Sequence, residues 1–169
     1  MKKIILFLTV TMSLMAWDTA KVVSVSDGDT LWLKKGTAKA FKVRLVGLDT
    51  FETKMSDFTK HRVFKQLQTL KDIHPFEKHS VREVLFWGYK AKEFVTKKIL
   101  YKQVKYHYYK DDQYGRPLVY IKNINYLLIR YGLAVQYPTN LMHPKRKAFL
   151  LEASRSANLE RRGIYAREK

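Results

Sequence analysis

Apolar residues alternate with polar ones at Val23 and Val25, at Leu31 and Leu33, and at Phe41, Val43 and Leu45. A period of two with one apolar face marks half-buried antiparallel strands. Asp27-Gly28-Asp29 and Lys35-Gly36-Thr37 separate these runs with turn chemistry, so residues 21–45 are expected to form a three-stranded meander. The alternation then breaks. Residues 53–80, rich in Lys, His and Asp with Pro75 as a stop, read as an extended surface loop or a short helix. From 81 to 100 the period becomes helical: Val81, Val84, Leu85, Tyr89, Phe94, Val95 and Ile99 fall mostly on one face. Val104, Tyr106 and Tyr108, then Leu118 and Tyr120, alternate again and give strands four and five. Asn125 to Tyr131 suits a short helix ended by Gly132. Pro144 opens a last helix running to about Arg162, with Gly163 after it.

Five short strands, a helix inserted after the third and helices at the end fit an α+β, mainly β, fold. The expected form is a five-stranded Greek-key barrel of the OB type with about three helices packed on it. The pattern alone also fits other α+β folds.

The length of 169 residues suits one domain with its own core. Lys2 and Lys3 followed by the apolar run Ile4–Ala16 read as a signal peptide. As a helix the run spans ~20 Å, short of a ~30 Å hydrocarbon core. The expected organisation is therefore a signal peptide at 1–16 and a single domain at 17–169, carrying an extended loop insertion at 54–80. Export to a periplasm or the extracellular space follows. The alternative is an uncleaved anchor, because Leu14 stands where a small residue favours cleavage. Lys and Arg number 33 against 15 Asp and Glu, a net +18, which attracts nucleic acid or an anionic membrane surface. Charge does not choose between the two. With no cysteine, a disulfide framework, a cysteine nucleophile and cysteine-rich zinc sites are excluded.

Three stretches carry chemistry: Asp27-Gly28-Asp29-Thr30, Arg44-Leu45-Val46-Gly47-Leu48-Asp49-Thr50-Phe51-Glu52, and Asp112-Gln113-Tyr114-Gly115-Arg116. Hydrolysis of a phosphodiester needs a hard cation, donors for the phosphoryl oxygens and a group that activates water. Asp29, Asp49 and Glu52 supply carboxylates suited to Ca²⁺. Arg44 and Arg116 supply planar forks that never deprotonate. Each stretch taken alone has a structural reading, as a hairpin turn, a helix cap or a turn with a solvated charge.

Together, in this order and spacing, they resemble the signature motifs of staphylococcal nuclease-like enzymes. Further similarity covers Lys90 to Leu100, Asn125 to Ala134 and Arg162 to Tyr165, so the resemblance spans about 21–165 except for 54–80. It implies an OB-fold, Ca²⁺-dependent endonuclease acting on DNA and RNA and leaving 3′-phosphorylated ends. Asp29 and Asp49 would ligate Ca²⁺ by carboxylate and Thr50 by its backbone carbonyl. Glu52 would hold and activate the attacking water, Arg44 and Arg116 would grip the scissile phosphate, and Tyr114 and Tyr137 would contact the nucleotide. No stable protein partner is implied, a monomer is expected, and membrane contact arises only if the N-terminal segment stays uncleaved.

Two departures stand out: Phe51 replaces the family's proline and Gln113 replaces a lysine. The 54–80 segment carries Lys54, Lys60, Arg62, Lys65, Lys71 and Lys78, and either grips a nucleic-acid backbone or is a solvated loop. His74 and His79 lack a second ligand pair at zinc spacing. Tyr106, Tyr108 and Tyr109 lie near the third motif and are candidates for stacking on bases. Two other function classes fit parts of the chain. A binding module of the same fold without catalysis would be expected to lose the carboxylates or arginines first. A basic membrane-surface protein leaves those carboxylates unexplained.

Overall fold

The computed structural model describes residues 17–166; the expected signal peptide at 1–16 lies outside the described residues. Five strands close into a barrel: β1 (Asp18–Val25), β2 (Thr30–Lys34), β3 (Phe41–Leu45), β5 (Gln103–Asp111) and β6 (Pro117–Ile121). The order around it is β1-β2-β3-β6-β5, with β3 and β6 parallel and the other neighbours antiparallel. This is the expected OB-type Greek key. Its interior is filled from alternate positions, including Leu31, Leu33, Val43, Leu45 and Val119, all almost wholly buried.

Two strands depart from the expected faces. In β1 the buried residues are Ala20, Val22 and Val25, with Val23 only half-buried, because the register shifts between Val22 and Ser24. Such a bulge spends one extra residue on one strand and reverses the alternation beyond it. In β5 Tyr106 is in the core but Tyr108 is exposed, and the register shifts just beyond it, between Tyr108 and Lys110.

Two short strands were not legible: β4 (Leu48–Asp49) and β7 (Val135–Gln136), paired antiparallel outside the barrel. The helices are α1 (Lys60–Ile73), α2 (Val81–Ile99), α3 (Ile124–Arg130) and α4 (Pro144–Leu159), followed by a 3₁₀ turn at Gly163–Tyr165. The 54–80 insertion is not an extended loop throughout: the helix read as its alternative is present as the 14-residue α1. That helix is ordered by burial of Val63, Gln66 and Leu70 rather than by capping, as its first turn has no side-chain cap bond. Helix α2 is capped by Ser80, whose Oγ accepts the Glu83 N–H at 3.2 Å. Its buried stripe is Val84, Gly88, Ala91, Val95 and Ile99, and Tyr89 points outward at 60% exposure. The small residues replace the aromatic one because α2 lies directly on other backbone at that point.

A second apolar cluster stands apart from the barrel core. It joins Phe51, Val63, Leu70, Val84, Ala157, Ile164 and Tyr165. Thus α1, α2 and the C-terminal turn pack around the stretch that follows β4. Among the described residues no helix is long and apolar enough to cross a membrane.

Candidate active site

Strand β3 carries Arg44 between Thr30 of β2 and Leu118 of β6, so the second motif lies beside the first and beside the strand that follows the third, at one end of the barrel. Asp29, in the β1–β2 turn, is 1% exposed. Its Oδ1 accepts the Thr30 hydroxyl at 2.9 Å and Arg44 Nη1 at 3.1 Å, and its Oδ2 accepts the Thr50 N–H at 3.2 Å. Arg44 Nη2 also sits 2.8 Å from that Oδ2 and bonds Asp49 Oδ1. Two carboxylates, one from the β1–β2 turn and one from β4, therefore converge on one guanidinium nitrogen. Burial pushes the Asp29 carboxyl up to about 6 against the pull of Arg44. Arg44 itself is held above its ordinary value: burial works against its charge, but Asp29 and Asp49 outweigh it.

Glu52 joins this network through a residue of the insertion. Arg62 Nη1 lies 2.7 Å from Glu52 Oε1, and Arg62 Nη2 lies 3.3 Å from Asp49 Oδ1. The result is an unbroken chain of alternating charge, Asp29–Arg44–Asp49–Arg62–Glu52. Burial raises the Glu52 carboxyl, partly offset by Arg62.

A cleft of about 750 Å³ opens beside the network. Arg44, Asp49, Arg62 and Lys65 line one part, and Lys110, Gln113, Tyr114, Arg116 and Tyr137 also line it. Arg116 is fixed from behind: Asp112 Oδ2 accepts its Nε at 2.8 Å and faces its Nη2 at 2.7 Å. The same Asp112 accepts the N–H groups of Tyr114 and Arg116, each at 2.9 Å, which shapes the turn. Arg116 lies over the Tyr114 ring, 5.3 Å from its centroid. Tyr137 follows β7 and donates its N–H to the Gly47 carbonyl at 3.0 Å, so both exposed tyrosines border one cleft.

A family model for staphylococcal nuclease homologues matches residues 42–167. The chain belongs to the staphylococcal nuclease family. It is also 32% identical over 157 residues to an uncharacterized protein of Methanocaldococcus jannaschii, covering 86% of this chain and 70% of that relative. Membership points to a nuclease, a hydrolase with nucleic acid as its substrate. Asp29 precedes the matched stretch, and its bonds to Arg44 and Thr50 are what join it to the site.

The eight residues singled out in the sequence gather around this one cleft and network, but not all in the expected posture. The Thr50 carbonyl accepts Gln66 Nε2 at 3.0 Å, and Arg116 pairs with Asp112 rather than with the other three carboxylates. Phe51, next to Glu52 in the chain, is buried in the second cluster. Arg62 and Gln66 were missed as site residues. In the sequence Arg62 stands among the basic residues that either grip a nucleic-acid backbone or are solvated, and only its spacing one turn before Gln66 on a helix separates it from them. Tyr106 is core, and Tyr109 accepts a hydrogen bond from Arg146 at 2.6 Å. His74 and His79 stack with centroids 6.0 Å apart. His74 Nε2 donates to the Ile164 carbonyl at 3.0 Å and His79 lies 2.9 Å from Glu83, a structural role.

Whether the donor set suits Ca²⁺ turns on the carboxylates. Among the described residues no three His, Cys, Asp or Glu side chains stand together as a ready metal cage. Asp29 and Asp49 nevertheless present oxygens to one shared point, now held by Arg44 Nη2. Oxygen donors converging on a positive charge are the chemistry a hard cation requires.

Proposed function

We propose that this protein is an exported, Ca²⁺-dependent endonuclease that hydrolyses phosphodiester bonds of DNA and RNA to 3′-phosphorylated products. The observation that carries this is the Asp29–Arg44–Asp49 constellation bordering the same cleft as Arg116 and Tyr114. Asp29 and Asp49 by carboxylate, and Thr50 by its carbonyl, would hold the ion, which supplies charge neutralisation and polarisation of the phosphoryl group. Arg44 and Arg116 donate to the phosphoryl oxygens and meet the charge that builds there during in-line attack. Glu52 takes the proton of the attacking water. Tyr114 and Tyr137, exposed at the cleft, offer faces for bases. In the insertion, Lys65 and Arg62 line the cleft and support a grip on the nucleic-acid backbone.

The test is the purified chain on a single-stranded DNA oligonucleotide and on its RNA counterpart, with Ca²⁺ or with chelator. Cleavage with Ca²⁺ alone and a 3′-phosphate on the product by mass spectrometry are expected. Arg44→Ala, Glu52→Ala and Arg116→Ala should each cost several kcal/mol of transition-state stabilisation, of order 3 kcal/mol, while remaining folded. Activity that survives chelation sinks the cation requirement, and a wild-type rate in any variant removes that residue from the mechanism. N-terminal sequencing of the protein recovered outside the cytoplasm tests cleavage after Ala16.

A further inference from the structure

Helix α1 aims two side chains four residues apart, Arg62 and Gln66, at the stretch Thr50–Glu52. Gln66 is 5% exposed, an unusual setting for an amide. Both ends of that amide are used. Its Oε1 accepts the Glu52 N–H at 2.8 Å, and its Nε2 donates to the Thr50 carbonyl at 3.0 Å. The two bonds bracket Phe51 and satisfy backbone groups of a segment that belongs to no helix or strand. They also fix which way the amide faces, since oxygen must meet the N–H and nitrogen the C=O. One turn earlier, Arg62 holds the Glu52 carboxylate. The helix thus grips Glu52 at its backbone and at its side chain.

We propose that Gln66 is a positioning residue: through it, helix α1 fixes the backbone of Thr50–Glu52 so that the Glu52 carboxylate and the Thr50 carbonyl are presented in one geometry. An apolar side chain would have satisfied the burial at this position. Without the amide, the Glu52 N–H and the Thr50 carbonyl would lose the partners they have here. The insertion is therefore part of the catalytic centre, and its removal takes away more than a binding surface. This rests on the role given to Glu52 in the nuclease reaction.

The test compares the full chain with Gln66→Met, which keeps the volume and loses the amide. Turnover and KM on a single-stranded DNA oligonucleotide are measured beside circular dichroism and native-state hydrogen exchange followed at the Glu52 amide. A displacement of order 1 Å at a reacting group lowers kcat about 10- to 100-fold. That loss is expected with KM within about threefold and with the Glu52 amide losing protection while the barrel amides keep theirs. A wild-type kcat with the Glu52 amide still protected overturns the proposal. Should Gln66→Met not fold, the unmodified protein decides. Its Glu52 amide, whose partner is a side chain of α1, must exchange together with the α1 amides, and exchange at the free-peptide rate overturns the proposal equally. An unmodified protein without nuclease activity sinks the reading of Glu52 as base, and the exchange result then stands or falls on its own.

Discussion

Gly88, in the middle of α2, is the position where a single methyl group should separate activity from stability. A Cβ built there stands 2.1 Å from the Glu52 carbonyl oxygen, 2.5 Å from its carbon and 2.6 Å from the Phe51 oxygen. All three neighbours are backbone, so no rotamer change relieves the contact. Ordinary van der Waals contact begins near 3.4 Å, so α2 and the Phe51–Glu52 segment must part by about 1 Å. Helix α2 is pinned by Val84, Ala91, Val95 and Ile99, and the segment by Gln66 and Phe51. Overpacking costs about 1–3 kcal/mol, and a contact with backbone that no rotamer relieves stands at the upper end of that range. Alanine returns ~1 kcal/mol in helix propensity. The net, about 2 kcal/mol, lowers Tm by about 4–8 °C in a chain of this length. The same displacement at Glu52 should lower kcat about 100-fold. Gly88→Ala is therefore expected to be folded, slightly less stable and nearly inactive, read by thermal unfolding and by turnover on a single-stranded oligonucleotide. A wild-type rate, or a chain that no longer folds, refutes the reasoning.

Three further outcomes are expected. Lys65→Ala, which removes one cation from the cleft, should flatten the plot of log affinity against log salt for single-stranded DNA by about 0.7, and an unchanged slope removes Lys65 from the grip on phosphate. Asp112→Asn should slow turnover roughly 10-fold by loosening Arg116. Its carboxyl lies below the ordinary 3.8: burial acts to raise it, but the Arg116 backbone and side-chain donors and the Tyr114 N–H outweigh that. A depressed carboxyl stabilises above its unfolded value, so the stability gap between wild type and Asp112→Asn should be present at neutral pH and close as pH falls below about 4. A gap independent of pH contradicts this. Asn125→Leu leaves the buried Ile121 N–H and Val46 carbonyl unpaired, now met at 2.9 and 2.8 Å. It should cost about 2–6 kcal/mol, a fall in Tm of roughly 5–20 °C by thermal unfolding. A fall of less than about 2 °C would show that the two groups find other partners.

The barrel was legible because its strands obey a period of two and its turns carry Gly and Asp, as at Asp27-Gly28-Asp29. What escaped the periodicity was local. The bulge after Val22 moved the buried face from Val23 to Val22, a shift that no alternation rule carries. Strands β4 and β7, two residues each, are too short to show any period. Helix α1 was obscured by its Lys, His and Asp content, which outnumbers the narrow apolar side made by Val63, Leu67, Leu70 and Ile73. In α2 the periodicity puts Tyr89 on the apolar face, whereas in the structure Gly88 lies on Glu52 and the tyrosine faces out. The candidate site was legible as residue types in order. Its connections, Arg62 to Glu52 and Gln66 to the backbone around Phe51, depend on which helix face meets the segment, and that follows only from packing.

The site is assembled from two bodies of packing that differ in origin. The barrel fixes Asp29, Arg44 and Arg116 through strand register, because β2 pairs with β3 and β3 with β6. Glu52 lies beyond the last residue of β4 and gains nothing from that register. Its position comes instead from the second cluster, in which Phe51 packs with Val63 and Leu70 of α1, Val84 of α2 and Ile164 and Tyr165 near the C-terminus. Phosphate recognition and proton transfer would thus be set by separate cores. Arg62 links them, since it touches both Asp49 at the end of β4 and Glu52. The insertion between β4 and α2 contributes to the second core. Helix α1 does so, with its apolar side toward Phe51 and the polar residues Arg62 and Gln66 on the stretch that carries Glu52.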